Sequence, residues 1–250
     1  MKVNDIFNVI NNIAPIESAL SYDNAGLLLG DPEKDVTKSV ICLDCTPAAV
    51  KKALKEGAEL IITHHPVIFE PLKSVVKSES NVVYDCLVNG ISVISMHTNL
   101  DVAVGGVNDC LANALELGNI QFVTDDEGFS FRKGTLKNEM SAKELAEYVK
   151  VRLGGNIRYT DGGKPVKTVC VCGGSGGSEL KLAMENADAF ITADVKHNIF
   201  IEAASKGYTL LDAGHFNTEN VIVNPLADML NEKIKNVEFI AFNGKEIKSL

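Results

Sequence analysis

The chain has 250 residues, length enough for one large domain or two small ones with an ample core, and its 46% hydrophobic and 23% charged residues are those of a soluble globular protein. A formal net charge of −9, with no basic patch along the chain, disfavours binding to a polyanionic nucleic acid. Small anionic substrates stay open, because bound cations supply local positive charge.

Met1 to Asp5 does not begin a charged-then-apolar leader, and no apolar run approaches the roughly 20 residues of a membrane span. A cytoplasmic protein with no membrane partner is expected, in which the six cysteines stay reduced. Val3, Ile6, Phe7, Ile10 and Ile13 recur at helical spacing, and Pro15 closes that helix. Ser21 to Gly30 reads as a polar turn entering a short strand, with Asp23, Asn24 and Gly26 suited to turn chemistry.

From Ser39 the pattern is strand, helix, strand, helix, strand. Thr46 is a good N-cap, Pro47 suits the first helical position, and Gly57 ends the helix. Cys42 and Cys45 form a C-x-x-C, a spacing found in redox and metal sites; with Cys42 inside a buried-strand pattern and no second such pair, two packed thiols is the reading adopted. The strand Leu60 to Thr63 delivers His64 and His65 at its C-terminal end. A helix from Asn81 to Val88 stops at Gly90, and the strand Ile91 to Met96 delivers His97. Such alternation predicts a mainly parallel sheet covered by helices.

Asn108 to Leu117 then reads as a helix and Gly128 to Leu136 as a strand, while Ser141 and Glu144 make a capping box opening a helix to about Leu153. Glycine turns at 154–155 and 162–163 follow. Beyond them the first pattern returns. A slide of 129 residues lays Lys38, Val40, Lys52, Ala58, Ile62 and Thr63 on Lys167, Val169, Lys181, Ala187, Ile191 and Thr192, all identical. Gly90 and its strand match Gly207 and the strand Tyr208 to Asp212, which makes His97 and His215 near-equivalents. An internal duplication follows: two related α/β halves, residues 1–125 and 126–250, with mainly parallel sheets facing each other across a metal-containing cleft. The C-terminal segment is free to pack back on the first half.

Four of the five histidines lie just beyond predicted strands, and His97 and His215 each have a carboxylate four residues on, Asp101 and Glu219. Ligands gather at that edge of an open α/β sheet. His64, His65, His215, Asp101 and Glu219 exceed the needs of one four-coordinate metal with an open position. They suit two divalent transition-metal ions per chain, about 3.5–4 Å apart. Imidazole with carboxylate fits Zn, Fe or Mn better than Mg or Ca. His97 reads as a substrate-facing acid/base beside that centre. For His197 a surface position and a supporting role are both open, and the glycine-rich turn from Gly173 to Gly177 is either a tight turn or an anion cradle.

Together, Ser21-Tyr22-Asp23-Asn24-Ala25-Gly26, Thr63-His64-His65-Pro66, His97-Thr98-Asn99-Leu100-Asp101 and Gly214-His215-Phe216-Asn217-Thr218-Glu219 resemble the NIF-three-like family, the GTP cyclohydrolase I type 2 homologues. The resemblance spans the chain. It implies two α/β domains related by a pseudo-twofold, a ring-shaped homohexamer, and a dinuclear centre whose ligands map onto His64, His65, Asp101, His215 and Glu219. Tyr22 stands where the family usually has Trp, Ala193 where Gly is common and Asn198 where another His is common; none is a mapped ligand. The implied activity is metal-dependent hydrolysis of a nucleotide-like small molecule. A non-catalytic metal-binding or regulatory interaction protein is the competing reading.

Overall fold

Residues 1–78, 81–126 and 128–244 are described by the structure, a computed structural model. They fall into two units, each with its own sheet. The first comprises Met1–Val104 and the described residues from Val223 onward; the second is Gly105–Ile222.

In the first unit the sheet order is β1 (Gly26–Leu29), β4 (Ser92–Ser95), β3 (Leu60–Thr63), β2 (Lys38–Cys42) and β11 (Glu238–Ala241). Only β1 runs antiparallel to its neighbour. The central strands are continuous apolar runs because both of their faces are covered, and Val40, Ile61 and Val93 are fully buried. α1 (Val3–Ile13), α2 (Pro47–Glu56), α3 (Val82–Val88) and α10 (Val223–Lys233) belong to this unit, as does the short α4 (Thr98–Val102). α2 starts and stops as its sequence dictates: Thr46 Oγ1 accepts from the Ala49 amide at 3.2 Å, Pro47 follows the cap, and Gly57 closes the helix at φ 68°.

The second unit's sheet has the order β5 (Gly118–Thr124), β6 (Ser130–Met140), β8 (Val166–Val171), β9 (Ala189–Thr192), β10 (Thr209–Asp212) and β7 (Arg158–Tyr159). Here β8, β9 and β10 form a parallel core, while β5, β6 and β7 flank it in antiparallel pairings. Of these, β6 covers the strand expected from Gly128 to Leu136, whereas β5 carries no apolar alternation to mark it: Val123 is its one buried residue. Side chains alternate across the core strands. Val169, Val171, Ile191 and Leu211 pack in one apolar cluster, and Cys170, Cys172, Phe190 and Leu210 in another. The helices are α5 (Val107–Ala114), α6 (Ala142–Leu153), α7 (Leu180–Asn186), α8 (His197–Ser205) and α9 (His215–Glu219).

The division between units lies after Val104, earlier than residue 125. α5 sets it there, since Leu111, Ala112 and the following Leu115 and Leu117 are buried with Leu136 and Val169. In the other direction, β11 extends the first sheet by pairing parallel to β2.

The duplication is visible strand by strand. β2-α2-β3 repeats as β8-α7-β9, and β4 as β10. On β3 and β9 the slide of 129 is kept, but Leu60 faces Ser39 whereas its counterpart Ala189 faces Val169, one residue further than the slide predicts. A shared device confirms that register. Glu59 accepts from the amides of Thr37 and Lys38, and Asp188 from those of Lys167 and Thr168.

Candidate metal centre

Beyond β3 the chain stays tied to its neighbour, with the His64 and His65 amides donating to the Cys42 and Leu43 carbonyls at 3.3 and 3.0 Å. His64 is buried and its Nδ1 lies 2.9 Å from the Met96 carbonyl oxygen. A carbonyl only accepts, so Nδ1 carries the proton and Nε2 keeps its lone pair. His65 places Nδ1 2.7 Å from Asp44 Oδ1, and His97 places Nδ1 2.7 Å from Asp23 Oδ1, with the same consequence for both rings. Candidate ligand atoms of His64, His65 and His97 all lie within 4.8 Å of one another. Asp101, on the first turn of α4, is buried and sets Oδ1 3.7 Å from His64 Nε2.

Asp23 is therefore more than turn chemistry. Its carboxylate is completely buried, which pushes its pKa up, but hydrogen bonds from His97 and from both the Thr98 hydroxyl and amide outweigh that burial. The net effect holds it well below the usual carboxylate range, so it meets His97 as an anion.

In the second unit β10 ends at Asp212, Gly214 turns the chain at φ 82°, and α9 begins at His215. His215 Nδ1 lies 2.7 Å from Asp194 Oδ2, and Nε2 lies 2.9 Å from Glu219 Oε2, one turn along the same helix. Glu219 is buried. Gly174, at φ 60°, packs so closely here that a Cβ on it would stand 2.0 Å from Glu219 Oε1. The amides of Gly173, Gly174 and Gly176 donate to Asn108 Oδ1, Thr218 Oγ1 and Thr192 Oγ1. Those three amides are engaged by side chains, and Gly174 packs closely against Glu219.

Strand register makes one near-equivalence definite. Ser92 and Thr209 occupy the same place opposite β3 and β9, so α4 coincides with α9 and Thr98, not His97, is the counterpart of His215. His97 is instead the N-cap of its helix. His197 opens α8 and is exposed, outside these clusters. Cys42 and Cys45 are free thiols, and the neighbouring Cys86 thiol together with burial raises the Cys45 pKa.

The donors fit borderline divalent metals: imidazoles whose second nitrogen is spoken for by a carboxylate or carbonyl, together with buried carboxylates. The sequence did not reveal the supports Asp23, Asp44 and Asp194, which lie 74, 21 and 21 residues from their histidines. The one signal available was the duplication, which lays Asp194 on His65.

A family model described as Duf34/NIF3 (NGG1p interacting factor 3) matches residues 1–246. A GTP cyclohydrolase 1 type 2 homolog of Clostridium perfringens is 35% identical over 99% of this chain and 98% of its own length. NIF3-like protein 1 of Drosophila melanogaster is 32% identical over 96% and 85%. Among solved structures, a hypothetical protein of Staphylococcus aureus superposes with a TM-score of 0.91 at 26% identity, covering 100% of this chain and 99% of that one. Reduced HcgD from Methanocaldococcus jannaschii gives 0.83 at 31%, covering 96% and 97%.

Proposed function

This chain belongs to the Duf34/NIF3 family, and from that premise we propose that it is a metal-dependent hydrolase of a nucleotide-like small molecule, with two divalent transition-metal ions held by His64, His65, Asp101, His215 and Glu219. The observation that carries this reading is the pair His64 and His65 beside the buried Asp101, whose Oδ1 lies 3.7 Å from His64 Nε2, with each imidazole Nδ1 engaged elsewhere. Such an ion pair, when bound, supplies a nucleophile at neutral pH and polarises the attacked centre. The chain's own part is to orient and to move a proton. Asp23 fixes the His97 tautomer, and His97 Nε2 is the atom that takes a proton from, or returns it to, the reacting group. Half-exposed Phe69, its ring 6.2 Å from that of His97 and perpendicular to it, offers an apolar face to a ring-bearing substrate. The name GTP cyclohydrolase 1 type 2 homolog, borne by relatives, supports the same substrate class.

The test is elemental analysis with a nucleotide turnover screen on metal-defined protein. About two ions per chain are expected, with loss of both metal and rate in Glu219→Ala. His97→Ala is expected to keep the metals and lose rate by roughly 10²- to 10⁴-fold. Metal content no higher in the wild type than in a His64→Ala, His215→Ala double variant overturns the metal reading. Full metal loading with no turnover of any nucleotide favours the second reading, an interaction protein, for which the family description "interacting factor" speaks.

A further inference from the structure

Asp212 ends β10 with its side chain buried, and its two oxygens serve two different loops. Oδ2 accepts from the Val195 amide at 3.1 Å, and Oδ1 accepts from the Gly214 amide at 3.1 Å. Val195 directly follows Asp194, and Gly214 directly precedes His215. A single carboxylate thus ties down both ends of the Asp194–His215 hydrogen bond. Asp194 needs such a tie, because its φ of 49° lies in the left-handed region that costs a non-glycine residue.

Arg158 completes the arrangement. It is the cross-strand partner of Asp212 on β7, and its Nη2 donates both to Asp212 Oδ2 and, at 3.2 Å, to the Val195 carbonyl. The Phe200 ring, 5.1 Å from the guanidinium carbon, backs the cation. The duplication supplies an internal comparison. At the position of Asp212 the first unit has Ser95, whose Oγ also receives a backbone amide from the loop after the neighbouring strand β3, that of Val67 at 3.4 Å, as Asp212 receives that of Val195 from the loop after β9. The first unit holds that one amide with a neutral hydroxyl; the second holds two with a charged group and a neutralising arginine.

We propose that Asp212, held by Arg158, is a positioning residue that sets the Asp194–His215 pair and so tunes the affinity of the divalent ion that His215 takes. It acts through hydrogen bonds to backbone, and is not itself a ligand. This rests on the metal reading above.

The test measures zinc dissociation constants by competition with a chelator in the full-length protein, together with the ¹⁵N signals of His215 in metal-free protein. Asp212→Asn keeps the shape but turns an N–H towards one of the two amides. It should weaken one ion about 10- to 100-fold, the range for losing a support behind a metal-binding histidine, and should leave His215 without a single fixed Nδ1–H tautomer. Arg158→Met, at a largely exposed side chain, should follow it in direction, and Arg158→Lys should restore most of the affinity. Melting temperature of the metal-free variants close to wild type is expected, since a merely structural role would lower it without selecting one ion. Wild-type zinc affinity and an unchanged His215 tautomer in Asp212→Asn and Arg158→Met overturn the proposal when His215→Ala loses an ion. Wild-type zinc binding by His215→Ala instead removes the metal reading, and this proposal with it.

Discussion

The Nδ1 atoms of His64, His65, His97 and His215 are held by one carbonyl and three carboxylates, and this decides which nitrogen of each ring is offered outward. A carboxylate behind the ring also raises its basicity as a ligand. At this scale glycine matters as much as histidine. Gly174→Ala would bring a methyl group onto the Glu219 carboxylate from a backbone at φ 60°. It should cost about 1–3 kcal/mol of stability through strain and lower metal content, read by thermal unfolding and elemental analysis; full metal content would show that Glu219 tolerates displacement. By contrast Cys45→Ser should leave metal content unchanged, because Cys45 is a free thiol packed against core residues of the first sheet. Metal loss in that variant would make the thiol a ligand.

At the scale of elements, the duplication shows what is kept when a β-α-β piece is reused. Glu59 and Asp188 sit at the entry to β3 and β9 and each gathers two amides from the start of the neighbouring strand, fixing register where the sheet is otherwise uniform in apolar side chains. Burial raises the pKa of Asp188, but its hydrogen bonds from Thr168 and Lys167 outweigh this and leave it below its ordinary 3.8. The sign follows: a carboxylate with a depressed folded pKa contributes stability that is fully present above its unfolded value and is lost as pH falls through the folded value. Asp188→Asn should therefore cost about 1 kcal/mol at pH 7, with the difference from wild type shrinking below about pH 4. Denaturant melts at several pH values check this; a difference that does not change with pH would assign the effect to shape and not to charge.

For the whole molecule, the described residues contain no helix long and apolar enough to cross a membrane. Metal occupancy should be written into its stability. An ion that binds only the folded chain adds about 2.7 kcal/mol at a hundredfold excess over its dissociation constant, which for a chain this long is about 5–10 °C in melting temperature. Treatment with EDTA should lower the melting temperature by about that much and return of Zn²⁺ or Mn²⁺ restore it; no shift in either direction would argue against ions bound at neutral pH. The homohexamer implied by the family resemblance predicts a light-scattering mass near six times the 26.9 kDa of one chain, and a monomer mass would remove that expectation.

Periodicity, caps and strand-end placement were enough to determine the parallel β-α-β core of each half, because buried strands and capped helices are local in origin. Thr46-Pro47 and Gly57 bound α2, Ser141 and Glu144 open α6, and Leu60 to Thr63 aims His64 and His65 at the sheet edge. The duplication itself was legible for the same reason, and imidazole and carboxylate at strand ends marked the candidate donors, because they carry their chemistry in their identity. Tertiary structure alone decided the rest. Whether Asp23 is turn chemistry or the anion behind His97 depends on a contact across 74 residues. The one-residue offset that sets Ala189 opposite Val169, where the slide of 129 predicts Thr168, is a matter of strand register, which uniform apolar runs do not encode. The place of β5 and of β11 depends on which sheet edge had a partner to offer, a property of no single segment.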